Sequence, residues 1–571
     1  MVNLKINGIA VSVPEGSTIL QAAKAVNVRI PTLCYLKDLQ CVGSCRLCLV
    51  EATGARGLVT ACTYPVSEGM EVRTNTPAIR KSRKTTIELI LSTHKKKCLS
   101  CVRSTNCELQ KLALEYNAEE DRFGTDYDER PVDDLSASVV RDNSKCVMCT
   151  RCVAACTQQT IGVIGPQNRG YVKTIGSPYG VSLAETSCVN CGQCVVACPV
   201  GALYEKSNVS TVWEAIVNPE KKVVFYTAPS VRATLGEAFG LPVGTNVEGK
   251  MVSAIKQLGD VQCFNMDITA DLTIIEEANE LLQRLSSGGN TPMFTSCCPG
   301  WVKFAEHYFP EFLPNISTCK SPQEMFSAVL KTYYCEKNGI DPKNLFVVSV
   351  IPCTAKKFEV TRDELGYYTD AAITTRELAK MIKEAGIDFA NLPDGEFDTP
   401  FGQASGAGAI FGATGGVMEA ALRTAAVKLG GTGAPLEFKE VRGTAGIKEA
   451  EYNVGGTLLN VAVVSGLGNA RSLLEDIKSG KKNYAFVEVM ACPGGCINGG
   501  GQPYVHDEVR NSIDLKAARA KALYDYDDKK EVRRSHDNPA VDLLYREYFQ
   551  KPASHKAHKL LHTSYTRREK Y

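Results

Sequence analysis

Net charge is nearly absent: +2 over 571 residues. Bulk electrostatics therefore give no reason to expect nucleic acid or a membrane surface as a partner. No run is fit to span a bilayer. The longest uncharged window, 401–418, is rich in Gly, Ala and Ser and would not insert. No amino-terminal leader is expected from the first residues either. "MVNLKINGIAVSV" has no basic-then-apolar order and reads as two strands around Asn7-Gly8. These absences, with a hydrophobic content of 44%, lead us to expect a soluble cytoplasmic protein. The length is too great for one ordinary core and suggests about three to five domains.

What the chain has instead is cysteine, 24 residues of it. Without an export signal, and with these spacings, thiols are expected as metal ligands rather than disulfides. Residues 1–80 combine strand-like stretches with Cys34, Cys45, Cys48 and Cys62. "CVGSCRLC" followed by a distant "VTAC" is the long gap, tight pair and remote fourth ligand of a plant-type [2Fe–2S] loop. A zinc ribbon is disfavoured, because such ribbons usually pair two C-x-x-C knuckles. Residues 81–120 form a helical stretch carrying His94, Cys98, Cys101 and Cys107. On spacing alone, zinc and [4Fe–4S] are both open; the flanking cluster modules tilt the reading to iron–sulfur. In 121–208, "CVMCTRCVAAC" recurs as "CVNCGQCVVACP". This is the two-cubane ferredoxin arrangement, in which each fourth cysteine serves the other cluster. One cluster is then expected on Cys146, Cys149, Cys152 and Cys198, the other on Cys188, Cys191, Cys194 and Cys156.

From residue 209 the texture becomes α/β, with apolar β-rich runs alternating with helical patterns. Four runs end in turn residues or cysteines: "YTAPS", "FTSCCPGW", "VIPCT" and "EVMACPGGC". Open α/β sheets bind ligands beyond their carboxyl ends, so these ends are expected to converge on one cleft. Cys298, Cys353, Cys492 and Cys496 could hold one cubane there. The glycine-rich 404–416 lacks both phosphate-loop and dinucleotide fingerprints and reads as close backbone packing. The basic, aromatic 521–571 reads as a solvated segment wrapped over the surface, with His555, His558 and His562 in it.

"TSCCPGW", "IPCTAKKFE" and "EVMACPGGCINGGGQP" resemble the three signature motifs of [FeFe]-hydrogenases. The likeness extends along the whole chain, in the order of the monomeric clostridial type. The resemblance implies a multidomain α+β and α/β fold: a β-grasp [2Fe–2S] domain (1–80), a small helical His/Cys3 domain (81–120), a two-cubane ferredoxin domain (121–208), a two-lobed α/β catalytic domain with its site in the cleft (209–520), and a wrapping segment (521–571). It implies one [2Fe–2S], three accessory [4Fe–4S] and an H-cluster, whose cubane on Cys298, Cys353, Cys492 and Cys496 bridges through Cys496 to a diiron subsite bearing CO, cyanide and an azadithiolate. Lys356, Ser230 and the backbone at Pro229 would donate to that subsite. Ile351 departs from the family's usual Met, which bears on the packing and potential of the subsite.

The same resemblance implies the reversible reaction 2H⁺ + 2e⁻ = H₂. Electrons would come from ferredoxin or flavodoxin, maturation would need dedicated enzymes, and the chain would work as a monomer. The helix "TIIEEANELLQRL" places Glu277, Glu280 and Arg284 on one strip. By spacing alone that strip is a solvated face; by family position it is a proton relay running from Cys297 through Glu277, Ser317 and Glu280 to Arg284. In an extended strand end, neighbouring side chains point opposite ways. Only one of the pair can then face the cubane; the resemblance implies that this is Cys298 and that Cys297 carries protons, as a thiol that can donate and accept a proton at neutral pH. Two other readings are an NADH-dehydrogenase-like electron-transfer subunit and an iron–sulfur assembly or sensor protein. The first would lack the three later motifs, the second the diiron surroundings. Cys41, Cys263, Cys319 and Cys335 carry no assigned role.

Overall fold

The structure is a computed structural model that describes residues 1–127, 129, 131–430, 435–454 and 456–570. The amino-terminal module is a five-stranded mixed sheet in the order Ile9–Val13, Val2–Ile6, Glu71–Arg73, Leu49–Ala52, Val59–Thr60. Its first hairpin turns on Asn7 (φ 51°) and Gly8 (φ 84°), the left-handed pair that a two-residue hairpin demands. Helix Ile19–Ala25 starts at a Thr18 capping box and buries Ile19, Ala22 and Ala23 on the sheet. Helix Pro77–Ser92 runs through the boundary expected at residue 80. The helical pattern stops there, and Cys98 and Cys101 sit in the loop and 3₁₀ turn that follow.

Two short helices, Arg151–Gln158 and Gln193–Ala197, lie within the two cysteine runs and carry Cys152, Cys156 and Cys194. The sequence repeat is also a backbone repeat. Met148 and Thr150 have φ 53° and 62°, and their counterparts Asn190 and Gly192 have φ 58° and 69°. Strands Val139–Arg141 and Leu203–Glu205 pair antiparallel and close this module.

The part from residue 209 on has two four-stranded sheets. The first, Val261–Asn265, Lys222–Thr227, Leu345–Ile351, Ala371–Thr374, is wholly parallel. The second, Met293–Phe294, Phe486–Met490, Thr457–Ser465, Ile447–Val454, is parallel except for its last pair. The carboxyl ends of both sheets lead into one cavity. Helix Leu515–Asp528 crosses the boundary expected at residue 520.

The carboxyl-terminal segment wraps the first lobe as expected, but it is solvated on one side only, and its apolar positions are buried. Val541, Leu544, Phe549, Ala557 and Leu561 are at most 1% exposed and belong to the first lobe's core. Val541 and Leu544 are three residues apart and Ala557 and Leu561 four, so each helix here shows a short apolar stripe that basic neighbours mask. Among the described residues, no helix is long and apolar enough to cross a membrane.

Candidate active site

Cys297, Cys298, Cys353, Cys492 and Cys496 line one cavity together with Pro229, Ser230, Gln323, Lys356, Phe411, Gly412 and Met490. The chain departs from the expected geometry at the Cys-Cys pair. The strand ends at Phe294 and Cys298 is the N-cap of helix Pro299–Tyr308. The pair therefore lies in a turn, not a strand, and both thiols border the cavity. Their surroundings still separate them. Cys298 Sγ accepts the Ala491 amide at 3.3 Å. Cys297 is raised well above the ordinary thiol value, by burial first and then by the Glu277 carboxylate. A neutral thiol results, which corrects the expectation that this group exchanges its proton freely at neutral pH.

Helix Asp267–Ser287 is buried along most of its length, Glu276 and Glu277 included. A solvated acidic face is thus excluded. Burial, then Glu280, pushes Glu277 up to about 8. The Ser317 hydroxyl donates to Glu280 Oε2 at 2.9 Å and also lies close enough to Glu277 to ease its charge. With one proton it can serve one carboxylate at a time. Arg284 holds Glu280 at 2.5 Å and is 14% exposed, the outer end of the row.

Lys356 is almost fully buried and pairs with Glu359 at 2.8 Å. Glu359 in turn takes Ser321 at 2.9 Å and Gln323 at 3.0 Å. Sequence gave no sign of Gln323, which both lines the cavity and braces this ion pair. Ser230 Oγ is buried with no hydrogen-bond partner among the described residues. The glycine-rich stretch reaches the cavity at Gly412, where a Cβ would come 3.1 Å from the Ser230 Cβ.

Upstream, the cysteine sets gather as their spacing requires. Cys146, Cys149, Cys152 and Cys198 line one pocket, and His94, Cys98, Cys101 and Cys107 line another. Cys156 is close enough to Cys188 and Cys194 for their charges to interact. His94 is lowered to about 4 by burial, which leaves a neutral ring suited to a metal, and its Nδ1 has no partner among the described residues. Cys34 lies beside Cys45, and Cys48 Sγ is 3.3 Å from Cys62 Sγ. Cys41, unassigned in sequence, donates its thiol to the Cys62 carbonyl.

The modules meet at specific points. Gln40 Nε2 donates to the carbonyls of both Cys34 (3.0 Å) and Cys149 (2.8 Å). Arg103 reaches the Cys198 carbonyl at 3.0 Å. The first ferredoxin-like pocket thus adjoins both amino-terminal sites. At the catalytic end two glycines meet. A Cβ on Gly192 would stand 2.9 Å from Gly500 Cα, and one on Gly500 would stand 2.4 Å from the Cys191 carbonyl. That backbone contact brings Cys191 into charge range of Cys353 and Cys492.

Family models match along the chain: "2Fe-2S iron-sulfur cluster binding domain" at 1–77, "NADH-ubiquinone oxidoreductase-G iron-sulfur binding region" at 83–122, "4Fe-4S dicluster domain" at 145–202, "Iron only hydrogenase large subunit, C-terminal domain" at 221–500 and "Iron hydrogenase small subunit" at 513–568. The chain is 48% identical over its whole length to the NADP-reducing hydrogenase subunit HndD of Solidesulfovibrio fructosivorans, covering all of that protein. It is 45% identical over 99% of its length to iron hydrogenase 1 of Clostridium pasteurianum, again covering all of the relative. The solved apo [FeFe]-hydrogenase HydA1 of Chlamydomonas reinhardtii superposes with a TM-score of 0.57 at 40% identity, over 63% of this chain and 99% of that one. Five thiols around one cavity at the meeting of two sheets, with full-length likeness at nearly half identity, lead to one conclusion: the chain belongs to the iron-only, or [FeFe], hydrogenase family.

Proposed function

We propose that the protein interconverts protons, electrons and H₂ at an H-cluster held by Cys298, Cys353, Cys492 and Cys496. The observation that carries this is the convergence of those four thiols with Cys297 and Lys356 on one largely apolar cavity. The residues fit such a group. The orphaned Ser230 hydroxyl and the buried Lys356 ammonium offer donors to anionic, hydrogen-bond-accepting ligands. When bound, the group supplies the redox chemistry; the chain orients it, excludes water and moves protons. Cys297 passes a proton inward or outward, Glu277 stores it near neutral pH, the Ser317 hydroxyl hands it on, and Glu280 releases it beside Arg284.

Residues 1–80 are read as a β-grasp [2Fe–2S] domain. The His94 site and the two crossed cysteine sets are read as three [4Fe–4S] clusters. The contacts of Gln40 and Arg103 support two electron entries merging at the Cys146 set, with Cys191 as the exit to the catalytic site. The assigned sites sum to about 20 irons per chain. Anaerobic iron and zinc analysis, with infrared spectra in the carbonyl and cyanide region, tests the reading. Zinc in place of iron, or no such bands in matured protein, would sink it.

The electron partner has two candidates. We read the chain as a monomer served by ferredoxin or flavodoxin, cytoplasmic and matured by dedicated enzymes. Its likeness to a subunit of an NADP-reducing hydrogenase favours a second reading, in which other chains deliver the electrons. The mass of the native species, and whether reduced ferredoxin alone drives H₂ evolution, separates the two.

A further inference from the structure

Lys303 is a buried cation without a carboxylate of its own. It is 7% exposed and sits one turn and a half into the helix that begins at Cys298. Among the described residues, no hydrogen bond or ion pair holds its ammonium. Its Nζ lies over the face of the Phe358 ring, 4.0 Å from the ring centroid. The nearest carboxylate on its own helix, Glu306, is already taken: Arg362 holds both of its oxygens and Arg568 binds one at 2.7 Å. A buried ammonium left alone is expensive, and proteins retain one only where something balances it.

The group whose charge it meets is Cys188. Lys303 is the largest charge influence on that thiol, and Cys188 is the largest on Lys303. The same helix anchors on that loop again further along, where Tyr308 shares a 2.7 Å hydrogen bond with Ser187. One helix therefore caps the catalytic cavity with Cys298 and presents a cation to the neighbouring cysteine set.

We propose that Lys303 is the counter-charge of the cluster on Cys188, Cys191, Cys194 and Cys156, and that it sets the potential of the last electron hop into the catalytic site. This rests on the cluster assignment above. A four-thiolate cubane is anionic, and reduction adds one more negative charge. A fixed cation beside it in a low-dielectric setting favours the reduced form. Arg362 and Arg568 lie nearby but are balanced by Glu306 and Glu364 together, so the unbalanced charge is that of Lys303.

The test is a potentiometric titration of the accessory clusters followed by electron paramagnetic resonance, on fully matured protein, with iron content measured in parallel. It needs no hydrogen turnover. In Lys303→Met, one cubane should lose at least about tenfold in its reduced-to-oxidised ratio at fixed potential, which for a one-electron couple is about 59 mV more negative. Lys303→Arg keeps the charge and should move by less than half of that. Equal potentials in parent and Lys303→Met, at equal iron, would overturn the proposal, and so would an equal drop in Lys303→Met and Lys303→Arg, because packing alone would then explain it. Should Lys303→Met and Lys303→Gln both lose about four irons while Lys303→Arg keeps them, the counter-charge reading stands, since only charge separates the variants. Loss in Lys303→Arg as well would refute it. A parent with no cubane on the Cys188 set would instead refute the cluster assignment, a failure that iron analysis alone reveals.

Discussion

Glu277→Gln should make the protein more stable and nearly inactive. The buried carboxyl holds its proton up to about 8, against an ordinary value of 4.5. An unfolded chain releases that proton above 4.5, whereas the folded chain keeps it. The folded state therefore loses stability as pH rises through the window from 4.5 to 8, and has it in full below that window. At pH 7 this costs about 3 kcal/mol, taking 1.36 kcal/mol per pKa unit. Glutamine keeps the shape of the protonated acid and cannot ionise, so it removes the penalty. Calorimetry of the catalytic transition should show the variant melting about 5 °C higher at pH 7, with the gain small at pH 5 and larger at pH 8. Hydrogen evolution should fall at least about 100-fold, since an amide cannot pass a proton on. A stability gain independent of pH, no gain at all, or turnover within tenfold of the parent would show that Glu277 is not a buried, titrating relay group.

Cys297→Ser should keep every cluster and lose most turnover, whereas Cys298→Ser should disturb assembly of the catalytic cubane; iron content and hydrogen evolution for the pair read out both. Lys356→Ala leaves Glu359 buried without its cation and removes a donor from the cavity. It should destabilise the catalytic part by about 3 kcal/mol or more by calorimetry and weaken the carbonyl and cyanide bands while sparing upstream clusters. Gly500→Ala forces a Cβ against the Cys191 carbonyl. It should slow electron transfer from a chemical reductant to the catalytic site without changing iron content, measured by rapid-mixing spectroscopy. His94→Ala should cost the amino-terminal cubane alone, seen as about four fewer irons per chain.

Much of this was legible because cysteine spacing is a covalent ruler. The crossed sets, with Cys198 beside Cys146 and Cys156 beside Cys188, follow from a repeat that can close in few ways. The α/β texture likewise announced strand ends meeting at a cleft. What spacing could not convey is burial. Glu277 lies on a strip that reads as solvated but is buried, and its neighbour Glu276 is covered by the carboxyl-terminal segment: Tyr545 donates to Glu276 at 2.6 Å and His562 lies 3.3 Å from it. That segment's basic residues concealed its apolar stripe. The turn before Pro299, which puts both Cys297 and Cys298 on the cavity, was hidden because the strand pattern reads on to the cysteines, whereas the strand ends at Phe294. Lys303 and Gln323 carry no motif; their meaning lies in neighbours distant in sequence.

The meeting of Gly192 and Gly500 has one more consequence. Where two parts join through side chains, rotamers and small shifts can absorb error, and the gap drifts with each substitution. Here main chain touches main chain, with the buried Thr354 hydroxyl tied to the Asn190 carbonyl beside it, so the join has little slack to take up. The length of the final gap is fixed by atoms left out, and the circuit keeps its dimension while the surfaces around it change. Tolerance at that point is close to zero in either direction: nothing can be added, and nothing remains to be removed.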